Sequence, residues 1–219
     1  MAEAHPVAVE RPALVLASSS PRRRELLGRL GVAFTIRVPD LDETPRDGEA
    51  TVAYVERLAR AKARVGRAQA PDPRADEVVV AADTTVDMDG TIIGKPADAP
   101  EAVAMLERLS GRSHLVHTGV AVARGTQLVS SVTSTTVAFA TLTLPEIVDY
   151  VATGQAYDKA GGYSLQGVAR PFVESIDGSA SNVLGLPMAQ TEALLGAVGY
   201  SLVTWGPPRG DATPETDQP

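Results

Sequence analysis

Two kinds of hydrophobic pattern alternate along this chain. Short apolar runs at Ala13–Ala17 and at residues 77–82, ALVLA and EVVVAA, are typical of buried strands. Residues 51–70 instead carry hydrophobic side chains at helical spacing, with Val52, Val55 and Leu58 on one face. Similar patterns predict further helices at Ala99–Leu109, Leu144–Ala152 and 186–197, and further strands at 116–123, 128–140 and 172–176. This alternation predicts an α/β fold with a mixed sheet.

Composition and charge narrow the class of protein. The 219 residues are 44% hydrophobic and 21% charged, which is typical of a soluble globular protein. A net charge of −7 argues against non-specific binding of nucleic acid or of an anionic membrane. No apolar run approaches the roughly 20 residues that span a bilayer. The chain has no Cys, which excludes disulfides and zinc–thiolate sites, and we expect a cytoplasmic protein.

The two ends of the chain differ from its middle. Residues 1–12 are polar and acidic, and residues 207–219 are rich in Pro and acidic side chains. We therefore expect a flexible arm at 1–12, a single α/β domain at 13–206 and a disordered tail at 207–219.

Residues 16–27, LASSSPRRRELL, carry the first candidate site. A strand ends in three serines, and Ser20 followed by Pro21 is a typical helix start. Free N–H groups and the positive end of the helix dipole favour anions at such a position. Arg22, Arg23 and Arg24 add positive charge, so the segment predicts a phosphate-binding loop. The alternative is an ordinary capped helix with exposed arginines.

Residues 78–96, VVVAADTTVDMDGTIIGKP, carry the second candidate site. We expect Asp83 at the end of a buried strand, where it would hold a divalent cation or act as a general base. Thr84 is placed to bond a ligand, and Lys95 follows a hairpin turn that returns it towards Asp83. The alternative for Asp83 is a helix or turn cap.

Lysine and glutamine supply weaker signals. Seventeen of the twenty basic residues are Arg, and the three lysines are Lys62, Lys95 and Lys159. A point charge that must reach one oxygen atom is a reason to retain Lys, although chance survival is the alternative. Gln166 follows a Gly-rich segment, and its amide, both donor and acceptor, matches the edge of a pyrimidine base.

Histidine chemistry is not favoured by the sequence. His114 and His117 lie three apart on a strand-like segment and so point to opposite faces, which argues against a shared metal site. The serines at 18–20 have no plausible His partner for a serine hydrolase.

Glu43, in the segment LDET, is placed before a Pro-containing loop where a carboxylate would help to hold a metal.

Together these segments resemble the Maf family of nucleoside triphosphate pyrophosphatases. The matching stretches include LASSSPRRRELL, LDET, ERLARAKA, AADTTV, GKP, YDKAGGYSLQG and NVLGLP, in this order. The resemblance implies an elongated mixed sheet flanked by helices with a central cleft, shared in outline with inosine triphosphate pyrophosphatases. It also implies metal-dependent hydrolysis, with Mg²⁺ or Mn²⁺, of a nucleoside triphosphate to the monophosphate and pyrophosphate, and a possible homodimer.

The resemblance also implies roles for particular residues. Asp83 matches the catalytic acid/base, and Lys62 and Lys95 match basic residues of the active site. Glu43 matches an acidic residue of the cleft and, with Asp83, would hold the metal. The loop residues that match the family's phosphate site are Ser18, Arg22 and Arg23. The residues that match the subgroup acting on dTTP and UTP, rather than the one acting on 7-methyl-GTP, are Arg22, Thr84 and Gln166.

The family's implied role is the removal of nucleotides from the cellular pool, possibly including modified pyrimidine nucleotides. The alternative is a non-enzymatic nucleotide-binding regulator of cell division or septum formation. A carboxylate at position 83 distinguishes the two, because a pure triphosphate binder gains nothing from it unless it holds a metal.

Overall fold

The computed structural model describes residues 12–72 and 76–202. The predicted tail, and the predicted arm apart from Pro12, lie outside these residues, so the division of the chain into three segments stays a prediction. The strands are β1 (Ala13–Ala17), β2 (Thr35–Arg37), β3 (Glu77–Met88), β4 (Thr91–Ile93), β5 (Ser113–Arg124), β6 (Gln127–Phe139) and β7 (Val173–Asp177). The helices are α1 (Pro21–Gly28), α2 (Thr51–Ala68), α3 (Ala99–Leu109), α4 (Leu144–Ala152), α5 (Ala180–Val183) and α6 (Met188–Ala197).

These strands form one mixed sheet, as the alternating pattern predicted. Its order is β2-β1-β3-β5-β6-β7, with β4 paired to β3 outside this path. β1 is parallel to β2 and to β3, whereas β3, β5, β6 and β7 pair in antiparallel fashion. The predicted hairpin turn joins β3 to β4, where the Gly90 N–H donates to the Asp87 carboxylate at 2.7 Å.

Helix α2 lies unusually close to the sheet. Its Ala59 and Ala63 pack against Ala81 and other small side chains of β1, β3 and β5. A side-chain carbon added to Gly119 on β5 would lie only 2.4 Å from the backbone oxygen of Val55. This close approach brings the buried face of α2, and with it the side chains that it carries, directly over the middle of β3.

The predicted element boundaries agree with the structure to different degrees. β1, α3 and α4 have the predicted bounds, while α2 ends at Ala68 and α6 begins at Met188. The prediction for β3 is wrong in one respect: the strand continues to Met88, so Asp83 lies inside it rather than at its end. The sequence pattern missed β2, β4 and α5, because segments of three or four residues are too short to show a period.

Within residues 12–72 and 76–202, no helix combines the length and the apolar character needed to cross a membrane.

Candidate active site

A cleft of about 420 Å³ opens along the edge of β3 opposite β5, at a stretch where this edge has no strand partner. β1 pairs with β3 as far as Val80, and β4 pairs with the same strand from Val86 onward. Asp83, Thr84 and Thr85 line the cleft in the interval between the end of one partner and the start of the other. Asp83 lies inside β3, but it comes just after the last residue of β3 that pairs with the parallel strand β1. It is therefore at the carboxyl end of the parallel part of the sheet, which is where ligands bind in α/β folds.

The loop after β1 forms one wall of the cleft and leads into helix α1. The Ser20 side chain caps the helix by accepting from the Arg23 N–H at 3.4 Å, and Pro21 begins the first turn. The Ser18 hydroxyl accepts from the Ser20 N–H at 3.2 Å. The predicted helix start is thus confirmed, and the serines lie at the positive end of the helix dipole.

The three arginines of this helix point in different directions. Arg24 is exposed, whereas Arg22 and Arg23 are half-buried and line the cleft. Because successive helical residues are turned by about 100°, only some members of such a run can face one site.

Arg23 is held by the protein itself. Its Nε donates to the Gly185 carbonyl at 2.8 Å, Nη1 to the Ser18 hydroxyl at 3.3 Å and Nη2 to the Thr84 hydroxyl at 3.0 Å. Burial lowers the pKa of Arg23, and the nearby Asp83 opposes that shift. A guanidinium has five N–H groups, so one on each terminal nitrogen remains for a ligand.

The centre of the cleft is an ion-pair cluster around Lys62. The Lys62 ammonium lies 2.6 Å from Asp83 Oδ1 and 2.8 Å from Glu43 Oε1. The side chains of Lys62 and Asp83 are 9% and 8% exposed, while that of Glu43 is 49% exposed. Burial raises the pKa of Asp83, and the cations Lys62 and Arg23 work against that rise.

Tyr54 on α2 fixes the loop that carries Glu43. Its hydroxyl donates to the Glu43 carbonyl at 3.0 Å. Burial, together with the carboxylates of Asp83 and Glu43, raises the pKa of Tyr54 to about 12. The hydroxyl therefore keeps its proton at neutral pH and remains a hydrogen-bond donor.

The opposite side of the cleft carries further cations. Lys95 is exposed and has no hydrogen bond or ion pair with any residue that the structure describes. The backbone of its loop is fixed at the preceding residue, where the Gly94 carbonyl accepts a hydrogen bond from the Gly161 N–H at 2.9 Å. Lys159 also lines the cleft, but its ammonium contacts Asp158 and donates to a carbonyl 2.6 Å away.

We name two parts of this cleft. The cleft floor consists of Ser18, Arg23, Lys62, Asp83 and Thr84. The cleft rim consists of Arg22, Glu43 and Lys95. The structure therefore brings eight of the nine residues predicted from the sequence to one cleft, and their individual roles stay predictions.

Gln166 is the ninth predicted residue, and it does not line the cleft. It is exposed, and its backbone N–H donates to the Ser164 hydroxyl at 3.2 Å. Ser164 does line the cleft, so Gln166 lies two residues from it along the chain.

The two histidines lie on opposite faces of β5, as predicted. His114 Nε2 lies 2.7 Å from the Tyr163 hydroxyl, and His117 Nδ1 lies 2.7 Å from the Ser134 hydroxyl. Among residues 12–72 and 76–202, no group of three or more His, Asp or Glu is arranged to hold a metal ion.

The sequence analysis missed residues that hold the floor in place. Gly185 has φ +103°, and a side-chain carbon there would lie 3.3 Å from both Arg23 Nε and Thr84 Oγ1. Thr118 and Asn182 lie behind Thr84 and are fully buried. Gly185 is part of the segment NVLGLP, which carried the family resemblance, but nothing in the sequence shows that it meets residue 23.

Comparison with known proteins agrees with this picture. The chain matches the family model described as Maf-like protein over residues 13–198. A dTTP/UTP pyrophosphatase of Myxococcus xanthus is 50% identical over 86% of this chain and 94% of that protein. One from Sphingopyxis alaskensis is 53% identical over 87% of this chain and 99% of that protein.

Among solved structures, a Vibrio cholerae protein covers 88% of this chain and 100% of its own, with 11% identity and a TM-score of 0.40, too weak a likeness to inform fold or function. The family model, by contrast, covers most of the chain, and both relatives match over nearly their full length. The resemblance of the motifs is thereby confirmed, and this chain belongs to the Maf-like protein family.

Proposed function

We propose that this protein hydrolyses nucleoside triphosphates, with dTTP and UTP preferred, to the monophosphate and pyrophosphate. The observation that carries the proposal is the buried Asp83 carboxylate beside Lys62 and Arg23, in a cleft with further cations at its rim. Support for the substrate comes from relatives of about 50% identity that bear the name dTTP/UTP pyrophosphatase. The role that follows is removal of these nucleotides from the cellular pool.

In this mechanism Asp83 is the general base that takes a proton from the attacking water. Burial raises the pKa of this carboxyl and so makes the carboxylate a better proton acceptor than an exposed one. Its Oδ1 bonds Lys62, while Oδ2 has no hydrogen bond to a residue that the structure describes, so Oδ2 is the atom that would receive the proton. Attack occurs at the α-phosphorus, and pyrophosphate is the leaving group.

The cations of the cleft stabilise the charge that builds on the phosphates. Arg23 offers one free N–H on each terminal nitrogen, which suits two oxygens of one phosphate group. Arg22 and Lys95, which have no hydrogen bond to a described residue, would close on the remaining phosphate oxygens. Groups placed in advance at such charge contribute several kcal/mol each in enzymes, of the order of 3 kcal/mol.

We infer that Glu43 and Asp83 would hold a divalent cation, Mg²⁺ or Mn²⁺, which would neutralise part of the charge of the triphosphate when bound. The residues present fit such an ion: Glu43 and Asp83 each use one oxygen on Lys62 and keep the other free of hydrogen bonds to described residues. Each carboxylate oxygen has two lone pairs, so Asp83 Oδ2 would hold the ion with one of them and face the attacking water with the other. Mg²⁺ in nucleotide sites is commonly bound by one or two carboxylates together with the phosphates. A pair of carboxylates, with no third ligand residue among the described part of the chain, matches that pattern.

Thr84 and Gln166 are proposed to select the base, with Arg22 between base and phosphates. Gln166 would donate to one carbonyl of uracil or thymine and accept from N3–H. Since Gln166 is exposed and outside the cleft lining, this role requires its segment to close over the bound nucleotide.

The decisive experiment incubates the purified chain with dTTP, UTP, CTP, ATP and GTP in Mg²⁺ or Mn²⁺, in water enriched in ¹⁸O. We expect monophosphate and pyrophosphate from dTTP and UTP, with ¹⁸O in the monophosphate because water attacks the α-phosphorus. A diphosphate product would contradict the proposed point of attack. Tight binding of dTTP without turnover would instead favour the nucleotide-binding regulator.

A further inference from the structure

A chain of hydroxyl groups leads from Thr84, in the cleft floor beside Arg23, into the buried interior of the protein. The Thr84 and Thr118 hydroxyl oxygens are 2.9 Å apart, and Thr118 Oγ1 donates to the Asn182 carbonyl at 2.9 Å. Thr118 and Asn182 are both 0% exposed. We name this arrangement, from Thr84 through Thr118 to the Asn182 carbonyl, the hydroxyl relay.

The hydrogen bonds of the relay can run in only one direction. A carbonyl accepts and never donates, so Thr118 must use its single hydroxyl hydrogen on Asn182. In its contact with Thr84 it is therefore the acceptor, and Thr84 is the donor. Thr84 then has no hydrogen left, and its oxygen accepts from Arg23 Nη2. Each bond thus fixes the orientation of the next, from the guanidinium to the buried carbonyl.

The far end of the relay is rigidly anchored. Asn182 donates through Nδ2 to the Val116 carbonyl at 2.9 Å and to the Thr135 hydroxyl at 3.0 Å. These bonds tie α5 to β5 and β6 in the centre of the sheet. The same segment of chain reaches Gly185, whose carbonyl accepts from Arg23 Nε at 2.8 Å. Arg23 is consequently held from two sides by one fixed stretch of backbone.

We propose that Thr118 is a positioning residue for the hydrolysis, acting through Thr84 on Arg23. By keeping the Thr84 hydroxyl as an acceptor, it holds the guanidinium so that its two remaining terminal N–H groups are presented to the triphosphate. Thr118 itself is fully buried and does not contact the substrate. The proposal rests on the proposed function, since it assigns Thr118 to the site that binds the nucleotide phosphates.

The test compares Thr118→Val, which keeps the shape but removes the hydroxyl, with Thr118→Ser, which keeps the hydroxyl. We expect kcat/KM for dTTP to fall about 10-fold or more in Thr118→Val, because a misplaced binding group is costly in catalysis. Thr118→Ser should stay within about threefold of the unaltered protein. The matched control is Thr133→Val: Thr133 lies opposite Thr118 on β6, and its buried hydroxyl has no hydrogen-bond partner among the described residues.

Combining each change at Thr118 with Arg23→Lys distinguishes an effect on the position of Arg23 from a purely structural effect on stability. If Thr118 acts through Arg23, Thr118→Val should cause little further loss of kcat/KM in the Arg23→Lys background, whereas its effect on unfolding free energy should persist. An equal fold-loss in both backgrounds would overturn the proposal, as would unchanged activity of Thr118→Val in the otherwise unaltered protein.

Should Thr118→Val fail to fold, Thr118→Ala and Thr118→Ser replace it, since they differ only by the hydroxyl oxygen. The serine variant is expected to exceed the alanine variant about 10-fold in kcat/KM, and equal values would overturn the proposal. Failure of the proposed function can be told apart from failure of the relay. An unaltered protein that hydrolyses none of the five triphosphates would refute both proposals. An active unaltered protein whose Thr118 variants have unchanged kcat/KM would refute only the role of the relay.

Discussion

Lys62 and Lys95 carry the same charge into one cleft, yet the protein holds them in opposite ways. Lys62, in the cleft floor, is buried and lies within 2.8 Å of two carboxylates. Lys95, in the cleft rim, is exposed and has no hydrogen bond or ion pair to a described residue. The neighbouring arginines repeat the contrast, since Arg23 has three protein partners and Arg22 makes no hydrogen bond to a described residue.

The contrast indicates that the floor and the rim contribute to the reaction in different ways. Floor residues are fixed before a ligand arrives, so their charges are already placed where they are needed and need no reorganisation during the reaction. The rim cations Arg22 and Lys95 lack such partners among the described residues and would become ordered only when the nucleotide binds, at some cost in side-chain entropy. Changes in the floor should therefore lower the rate of the chemical step most, and changes of the two rim cations should mainly alter KM.

The largest effect is expected from Asp83→Asn in the floor. The amide keeps the shape of the side chain but can neither accept the proton nor supply negative charge, so kcat for dTTP should fall about 100-fold or more. Steady-state assays with dTTP measure this loss, and circular dichroism checks that the fold is intact. The control is Asp89→Asn on the exposed β3–β4 turn, which should have normal activity. Near-normal turnover of Asp83→Asn would contradict its role as the base.

The comparison of floor and rim is sharpened by replacing each lysine with arginine. A planar guanidinium does not fit the buried position between Asp83 and Glu43, so Lys62→Arg should lower kcat about 100-fold. Lys95→Arg retains charge at an exposed position, and we expect a loss of about 10-fold, mostly in KM. Equal losses in the two variants would remove the distinction between floor and rim, and normal activity in both would show that these lysines survived by chance.

The pH dependence of kcat provides a further test of the floor. Burial raises the pKa of Asp83, so the carboxylate takes up its proton at a pH above the usual value of about 3.9. Since the protonated acid cannot serve as a base, kcat should fall about tenfold per pH unit below that raised pKa. A profile measured with Lys62→Met should place this fall at higher pH still, because the ammonium opposes protonation. An unchanged profile would show that another group titrates.

The smallest effect is expected for Gln166→Glu, beyond the rim. Loss of the amide donor and addition of a charge should weaken use of dTTP and UTP by about three- to tenfold, mainly through KM. The ratio of kcat/KM for dTTP to that for ATP and GTP should fall as well. GTP or ATP hydrolysed by the unaltered protein as efficiently as dTTP would contradict both the base preference and the role proposed for Gln166.

The sequence by itself determined most of the elements and the chemical character of the site. Hydrophobic patterns are local properties, so β1, α3 and α4 have the bounds that the pattern predicted. The serine–proline start of α1 depends only on residues next to each other, and it too was predictable. The motifs, in their order along the chain, identified the family and eight residues that the fold brings to one cleft.

Only the tertiary structure decided which of those residues are fixed and which are free. Arg23 bonds Gly185, 162 positions away, and the relay joins Thr84 to Thr118 and Asn182 across three elements. Such contacts depend on sheet order and on where the α5 segment packs against the sheet, neither of which leaves a local period in the sequence. For the same reason the pattern placed Asp83 at a strand end: it could not show that β1 stops pairing at Val80 while β3 itself continues to Met88.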